Sequence, residues 1–350
     1  MNGKNKNLHK KITMKDIANY LNIDRTTVSK AMSDKPGVSQ EMVRKVRKAA
    51  EELGYRKDIF ASGLTTGKNA LLALIMRDMD RGIYAPLVAQ FQQTARSFNY
   101  GIILQFVGSS RNEVVHTIEL LKQQRVSGAT FVADATNESH NDLLVELVHT
   151  GIAVNTTRRD FIHEQIDQIR FDNRKAGYDA AQHLIRLGHR RILFVIGKHP
   201  AGTPKERMEG YLQAMADAGL EPEVAEADHT LRANPGEQVQ ESYRLGRKLW
   251  SGGTRPSAMI GMNDSVALGL LHAMKDEQVP VPDSVSIVGF DDLQAVLSVP
   301  QITSSRIPMA EAGALAVNLL MSRIKEPFRP RIREMLDCEL VIRQSTAAKR

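Results

Sequence analysis

A short polar segment near the start of the chain, RTTVSK, carries side chains that could recognise nucleic acid. Arg25 can donate to the O6 and N7 acceptors of guanine, and Thr26 can bond a base edge or touch a thymine methyl group. Thr27, Ser29 and Lys30 offer hydroxyl and ammonium groups that can reach phosphates or bases. The segment therefore has the chemistry of a DNA-reading surface, provided that a rigid element directs these side chains outward.

Two short helices would position this surface. Thr13 followed by Asp16 has the spacing of a helix N-terminal cap, which predicts a first helix over about 14–21. Asn22 tolerates the left-handed backbone of a tight turn, so a second helix over about 25–32 can follow at once. The polar residues of RTTVSK lie on the second helix and would face outward.

A third helix is predicted over about 40–53, with Ser39 as its cap. Val43, Val46 and Ala50 would form its apolar stripe. Three such helices make a helix-turn-helix with a bracing helix, and in that geometry the second helix enters the major groove of DNA. A small helical module for protein–protein contact would show the same pattern and stands as the alternative.

The charge of the chain is concentrated in the same region. Residues 1–68 hold 15 lysines and arginines against 7 acidic residues, whereas the rest of the chain holds 32 against 33. All of the net charge of +7 therefore comes from the first fifth of the sequence. A basic end on a neutral body favours a polyanionic partner, although a solubilising basic tail would give the same excess.

From residue 70 onward the sequence alternates apolar segments with amphipathic ones. ALLALIM, YGIILQFV and VSIVGFDD have the texture of buried strands, and helical patterns separate them. This alternation predicts parallel sheets covered by helices on both faces, over a length sufficient for two lobes. Ligands of such sheets bind beyond the carboxyl ends of the strands.

Three polar residues stand at such places. Asn263 follows the strand AMIGM, and its amide can both donate to and accept from a hydroxyl group. Asp291 follows VSIVGF, and its carboxylate can accept hydrogen bonds from two hydroxyl groups. Arg207 precedes the helix MEGYLQAM and offers five donors. Structural roles are the alternatives: Arg207 and Asp291 could be ion-pair partners, and Asn263 could cap a helix.

Several classes of function are disfavoured. No G-x-G-x-x-G follows the first strand, no P-loop or H-E-x-x-H occurs, and the single cysteine, Cys338, allows no Cys/His cluster. We therefore expect no enzyme, no cofactor and no metal site. The absence of a long apolar segment predicts no membrane span. The lack of a signal peptide favours a cytoplasmic protein over a solute-binding protein of the transport class.

The segment TMKDIANYLNIDRTTVSKAM resembles the DNA-binding domain of the lactose-repressor (LacI/GalR) family, and LIRLGHRRILFVIG, GMNDSVALGLL and VSIVGFDD resemble its core. The resemblance implies an all-α helix-turn-helix DNA-binding head and an α/β two-lobed core like that of periplasmic sugar-binding proteins. It implies a regulator, most often a repressor, that binds double-stranded DNA at a pseudo-palindromic operator as a homodimer. A small-molecule effector, a sugar or sugar derivative, would bind between the lobes.

The resemblance also assigns residues to these roles. Contacts with DNA phosphates fall to Thr13, Thr27, Ser29, Ser39 and Tyr55, and base reading falls to Arg25, Thr26 and Lys30. Contacts with the effector fall to Tyr84, Arg207, Asn263 and Asp291. Tyr84 lies in RGIYA, where many members carry NPFFA, so that the wall of the pocket in the first lobe is expected to be atypical.

A hinge would join head and core. In the family this segment becomes a helix on the operator, and a leucine enters the minor groove; Leu64 would be that leucine and Ala61 its small neighbour. Gly63 departs from the pattern, and a glycine costs a helix about 1 kcal/mol relative to alanine. This hinge should therefore order less readily, and a plain flexible linker is the alternative.

The expected boundaries follow from these patterns. The head would cover 1–57, the hinge 58–69, the core 70–343 and a C-terminal tail 344–350. Within the core, the first lobe would comprise about 70–170 and 303–335, and the second about 171–302 and 336–343.

Overall fold

The chain consists of two compact units, residues 1–69 and residues 70–350. The computed structural model describes residues 12–32, 36–55, 69–77, 82–108, 110–132, 135–157, 163–230 and 233–349. The first unit contains the head, and the second contains the core.

The head contains the three predicted helices, which the structure confirms: α1 (Met14–Leu21), α2 (Arg25–Met32) and α3 (Gln40–Glu52). Thr13 and Asp16 form a reciprocal cap, in which the Thr13 amide donates to Asp16 Oδ2 at 2.8 Å. Asn22 adopts the left-handed conformation, with φ at 50°, at the turn between α1 and α2. Buried apolar residues from the three helices pack together beneath the turn, among them Ile17, Val28 and Val46.

The core contains twelve strands and eight helices among its described residues. The strands are β1 (Leu71–Met76), β2 (Gly101–Phe106), β3 (Gly128–Phe131), β4 (Ala153–Thr156), β5 (Ile166–Phe171), β6 (Ile192–Gly197), β7 (Glu223–Ala227), β8 (Ala258–Gly261), β9 (Ser286–Asp291), β10 (Thr303–Arg306), β11 (Arg333–Leu336) and β12 (Glu339–Val341). The helices are α4 (Ala85–Ser97), α5 (Arg111–Gln123), α6 (Asn141–His149), α7 (Asn173–Arg186), α8 (Gly202–Asp217), α9 (Pro235–Ser251), α10 (Asp264–Asp276) and α11 (Met309–Lys325). Short 3-10 helices cover Glu138–His140 and Ala295–Leu297.

These strands form two six-stranded sheets, one in each lobe. The first sheet has the order β11-β5-β4-β3-β1-β2, and all of its neighbouring strands are parallel. The second has the order β12-β10-β9-β8-β6-β7, and its strands are parallel except for the antiparallel pair of β10 and β12. The two-lobed α/β prediction is therefore confirmed, with one edge strand reversed.

The predicted lobe boundaries were wrong in one place. Residues 303–306 were assigned to the first lobe, but β10 pairs with β9 in the sheet of the second lobe. The chain therefore returns to the first lobe only with α11, after which β11 pairs with β5. β10 has the polar sequence TSSR, which carries no apolar pattern that would assign it to either sheet, so hydrophobicity alone could not place this crossing.

The C-terminal segment is part of the second lobe rather than a free tail. Ser345 is fully buried, and its carbonyl oxygen accepts a hydrogen bond of 2.8 Å from the amide of Ile287 in β9. The amide of Lys349 donates to the carbonyl of Leu187 at 2.7 Å. The predicted tail at 344–350 thus supplies backbone partners to β9 and to the end of α7 throughout its described part.

A buried ion cluster joins β5 of the first lobe to the loop between α11 and β11. Asp167 in β5 is fully buried, and its two carboxylate oxygens accept hydrogen bonds of 2.7 Å from Arg323 and Arg329. The amide of Ile332 donates to the same carboxylate at 2.9 Å. Because an unpaired buried carboxylate would be costly, the cluster fixes the loop between α11 and β11 against β5.

Candidate DNA-reading surface and ligand cleft

The outer face of α2 presents the residues that the sequence singled out. Arg25, Thr26, Ser29 and Lys30 are exposed, while Thr27 is half-buried against the head. Val28 and Ala31 lie on the opposite, buried side of α2. The helix period thus separates a polar outer face from an apolar inner one, as the sequence predicts.

The residues assigned to phosphate contacts lie elsewhere on the head. Thr13 and Ser39 are exposed caps, and Ser39 Oγ accepts a hydrogen bond of 3.3 Å from the amide of Met42. Tyr55 is half-buried and packs against the apolar residues of the head. Ala61 and Leu64 of the predicted hinge lie outside the described residues.

Two adjoining chambers lie between the two lobes of the core. The first chamber has a volume of about 550 Å³ and is lined by both lobes, including Val132 and Arg170 from the first lobe and Lys205 from the second. The second chamber has a volume of about 300 Å³ and is lined mainly by the second lobe. Both chambers are bordered by Tyr84, Ala201, Gly202, Thr203, Ile307 and Met309.

The second chamber brings together Arg207, Asn263 and Asp291. Arg207 is only 2% exposed, and its guanidinium makes three hydrogen bonds. It donates to Asn173 Oδ1 at 3.2 Å, to the carbonyl of Met262 at 2.8 Å and to Asp291 Oδ1 at 2.8 Å. The guanidinium also lies 4.7 Å from the centroid of the Phe290 ring. The sequence offered a ligand contact and an ion pair as alternatives for Arg207 and Asp291, and the structure confirms the ion pair, at the wall of the second chamber.

Two glycines allow Arg207 to take this position. A Cβ atom on Gly177 of α7 would lie 1.9 Å from the carbonyl oxygen of Arg207, and one on Gly210 of α8 would lie 1.9 Å from that of Arg174. The two helices therefore cross with their backbones in contact, which only glycine permits. This crossing brings Arg207 of α8 within reach of Asn173 at the start of α7.

Asn263 acts as a helix cap at the wall of the second chamber. Its Oδ1 accepts a hydrogen bond of 2.9 Å from the amide of Val266, and its Nδ2 donates to Gln238 Oε1 at 2.7 Å. Gln238 is buried and in turn donates to the carbonyl of Ala233 at 3.1 Å. The alternative that Asn263 caps a helix is thus confirmed, and sequence reasoning did not identify Gln238 as its partner.

Asp291 ends β9 in an unusual conformation. Its φ is 99°, in the region that favours glycine, and its side chain is 22% exposed. Only Oδ1 is paired with Arg207, so one face of the carboxylate is turned to the second chamber. Strained residues of this kind are concentrated at functional sites. Tyr84 precedes α4 and contributes to the walls of both chambers.

Asp264 is a further polar residue of the second chamber, and the sequence analysis overlooked it. Its Oδ2 accepts hydrogen bonds from the amides of Leu293, Gln294 and Ala295, at 2.7, 3.2 and 3.2 Å, and its Oδ1 accepts from Ser304 at 2.6 Å. Burial, and then the charge of Asp291, raise the pKa of Asp264 to about 7, against these hydrogen bonds. Its position directly after Asn263 at a strand end was the available signal.

The described part of the chain offers little sign of other chemistry. No group of three or more His, Cys, Asp or Glu residues in the described ranges could hold a metal ion. Every described helix is too short or too polar to cross a bilayer.

Two family models match the sequence. The model for bacterial regulatory proteins of the lacI family matches residues 13–58, and the model for a periplasmic binding protein-like domain matches residues 181–346. The first covers the three helices of the head, and the second covers most of the second lobe together with α11 and β11 of the first.

Relatives match over nearly the whole chain. Catabolite control protein A of Priestia megaterium is 29% identical over 341 residues, which are 96% of this chain and 99% of the relative. The ribose operon repressor of Escherichia coli K12 is 28% identical over 319 residues, 90% of this chain and 94% of the relative. The crystal structure of the lac repressor dimer bound to operator and an anti-inducer matches with a TM-score of 0.79 at 22% identity, over 97% of this chain and 100% of that chain.

The DNA-reading surface predicts a loss of sequence selectivity when Arg25 is removed. We expect Arg25→Ala to weaken binding to the preferred duplex by about 1–3 kcal/mol and to relax one base position. Arg44→Ala is the matched control, because it removes the same charge from an exposed position of α3. Any loss of affinity in this control should be equal for all duplex sequences. Selection from a randomised duplex library measures both, and an unchanged base preference in Arg25→Ala would contradict the assignment.

The environment of Asp264 predicts a pH-dependent stability. The pKa of about 7 lies above the ordinary 3.8, so between these values the folded protein keeps a proton that the unfolded chain releases. Asp264 therefore makes its whole contribution to the free energy of unfolding below pH 4, and this contribution decreases as the pH rises to 7. Asp264→Asn removes this titration.

Urea unfolding of wild type and Asp264→Asn at pH steps from 4 to 7.5 tests the prediction. As the pH rises, the free energy of unfolding of the variant should increase relative to that of the wild type, by up to about 1.4 kcal/mol for each unit of pKa difference. Asp283→Asn, on an exposed residue, is the control and should run parallel to the wild type. A constant difference between wild type and Asp264→Asn would show that Asp264 is ionised throughout.

Proposed function

The chain belongs to the LacI family of bacterial regulatory proteins, and on this premise we propose that it controls transcription by binding an operator under the control of a small effector. The head would supply the operator contacts through α2, and the core would hold the effector in the two chambers. Regulation rather than catalysis is proposed, because the relatives include proteins named as a catabolite control protein and as a ribose operon repressor. Such a protein would work in the cytoplasm, where its operator lies.

The observation that carries this proposal is the clamp made by Arg207. Its three acceptors belong to Asn173, at the passage from the first lobe to the second, and to the ends of β8 and β9, which face the second chamber. An effector that bonds Asp291 would compete with or reorient this clamp. The effector would therefore favour one arrangement of the lobes, which is the requirement for allosteric control.

We propose a sugar or sugar derivative as the effector. The second chamber offers a carboxylate at Asp291 and the amides of half-buried Asn263 and buried Gln238, groups that suit hydroxyl-rich ligands. One relative is named as the repressor of a ribose operon. Tyr84 supplies an aromatic side chain at the border of both chambers, against which a sugar ring can pack.

We further propose that the protein acts as a homodimer. Leu297 and Val299 of the second lobe are 81% and 90% exposed, and they border an apolar surface cavity together with Leu271 and Val281. Exposed apolar patches of this kind mark interaction surfaces. A second copy of the chain is the occupant that we propose, because a two-fold symmetric operator requires two heads.

The effector response is expected to depend on Asp291. Asp291→Asn keeps the size of the side chain and an oxygen that can accept from Arg207, but it removes the charge that a ligand hydroxyl would meet. We expect DNA affinity within about twofold of the wild type, and an effector concentration for half-maximal response that rises at least about tenfold.

The measurement is a gel shift on a selected pseudo-palindromic duplex, titrated with sugars that raise the melting temperature of the wild type. Asp283→Asn serves as the matched control, since it is exposed and lines neither chamber. A normal response in Asp291→Asn would remove Asp291 from the effector site. A wild-type protein that shifts no duplex at low salt would overturn the regulatory proposal itself.

The dimer is expected to depend on Leu297. Leu297→Asp would place a charge in the apolar patch, and analytical ultracentrifugation should then show a monomer where the wild type is a dimer. Ile342→Asp is the control, because Ile342 is 62% exposed but does not border this cavity. A dimer that withstands Leu297→Asp would place the interface elsewhere.

A further inference from the structure

Two cations from opposite lobes line the first chamber. Arg170 is half-buried near the end of β5 in the first lobe, and Lys205 is exposed in the first turn of α8 in the second. Within the described ranges, no carboxylate pairs with either of them. Glu206, which also lines this chamber, has a polar contact of its own.

Arg170 differs in this respect from the more deeply buried arginines in the described part of the core. Among the described residues, Arg207 pairs with Asp291, Arg323 and Arg329 pair with Asp167, and Arg343 pairs with Asp292. A partly desolvated guanidinium lacks the hydration of a surface group, and its fork of donors matches a carboxylate or a phosphate. Its position at an interlobe chamber indicates that the matching anion comes from a ligand.

The start of α8 adds to the positive field. This helix of 16 residues begins after Ala201, which makes no side-chain cap, and Gly202 and Thr203 in its first turn border the same chamber. The positive end of a helix stabilises an anion placed nearby. Arg170, Lys205 and this helix end together give the first chamber a positive character, whereas Asp264 and Asp291 supply the acidic groups of the second.

We propose that the effector is an acidic sugar derivative, whose carboxylate or phosphate binds between Arg170 and Lys205 while its hydroxyl groups reach Asp291 in the second chamber. This inference rests on the proposed function and specifies its effector. The two chambers share Tyr84 and Ile307 in their walls and therefore adjoin, so that one ligand would extend from the first into the second.

The same arrangement gives the effector a means of moving the lobes. Without a ligand, the like charges of Arg170 and Lys205 oppose the approach of the two lobes across the chamber. An anion bound between them removes this repulsion and makes favourable contacts with both lobes. The acidic effector therefore binds the closed arrangement more tightly than the open one, as a population shift requires.

The experiment compares matched ligands on the intact protein. Four hexoses and two pentoses are each supplied as the neutral sugar, the terminal phosphate and, for the hexoses, the uronate, and thermal shift followed by calorimetric titration ranks their affinities. We expect at least one acid to bind at least about tenfold more tightly than its neutral parent, with an affinity that falls as salt rises. The uronate and phosphate series separate the two kinds of acid.

Variants then locate the acidic group. Arg170→Gln and Lys205→Gln should each weaken the acid at least about tenfold and leave the neutral parent unchanged. Lys198→Gln is the matched control, because Lys198 pairs with Asp228 outside both chambers and should bind the acid as the wild type does. Arg170→Gln should not lower the melting temperature of the free protein, since it removes a charge that has no carboxylate partner among the described residues. Removal of a purely structural arginine would lower it.

A charge reversal supplies an independent outcome. Lys205→Glu places a carboxylate opposite Arg170. In small-angle X-ray scattering, the ligand-free variant should therefore be as compact as the ligand-bound wild type. The proposal is overturned if no acid binds more tightly than its neutral parent. It is also overturned if the glutamine variants show the same ratio of affinities for acid and neutral ligand as the wild type. Operator binding by the free protein is unaffected by either result, so failure here is distinguishable from failure of the proposed function.

Discussion

The core depends on the pairing of one buried cation. Arg207 cannot be hydrated where it lies, so its guanidinium must find acceptors in the protein, and it finds them at the ends of two strands and at a passage between the lobes. The crossing of α7 and α8 at Gly177 and Gly210 brings these groups together. The side chain of Arg207 thereby joins the wall of the second chamber to the sheet of the second lobe and to the connection between the lobes.

This arrangement explains why the polar residues of the second chamber are only partly available to a ligand. Asn263 and Gln238 bond each other, and Asp264 is held by three backbone amides and Ser304. A fixed network of this kind costs little to organise when a ligand arrives, because its side chains are already oriented. The first chamber differs, since Arg170 and Lys205 have no carboxylate partner in the described structure.

Much of the architecture was predictable because local patterns determine it. The helices of the head follow from caps and apolar spacing, and the strands of both lobes follow from buried runs such as LLALIM. The lobe that holds β10 could not be predicted, because pairing is a long-range choice between two similar sheets. Likewise, the sequence offered an ion pair of Arg207 and Asp291 only as an alternative to a ligand contact, because contacts between distant segments decide such a pairing. The role of Gln238 and the surroundings of Arg170 depend on contacts of the same kind.

The pairing of β11 with β5 has a consequence for synthesis on the ribosome. About 160 residues separate the two strands, so the first sheet lacks an edge strand until the second lobe has been made. At roughly 5–20 residues per second this delay lasts roughly 10–30 s, during which Asp167 has neither Arg323 nor Arg329 to neutralise it. The nascent first lobe therefore exposes an open strand edge with an unmatched charge in it, and this charge discourages the edge from joining another chain before its own partner emerges.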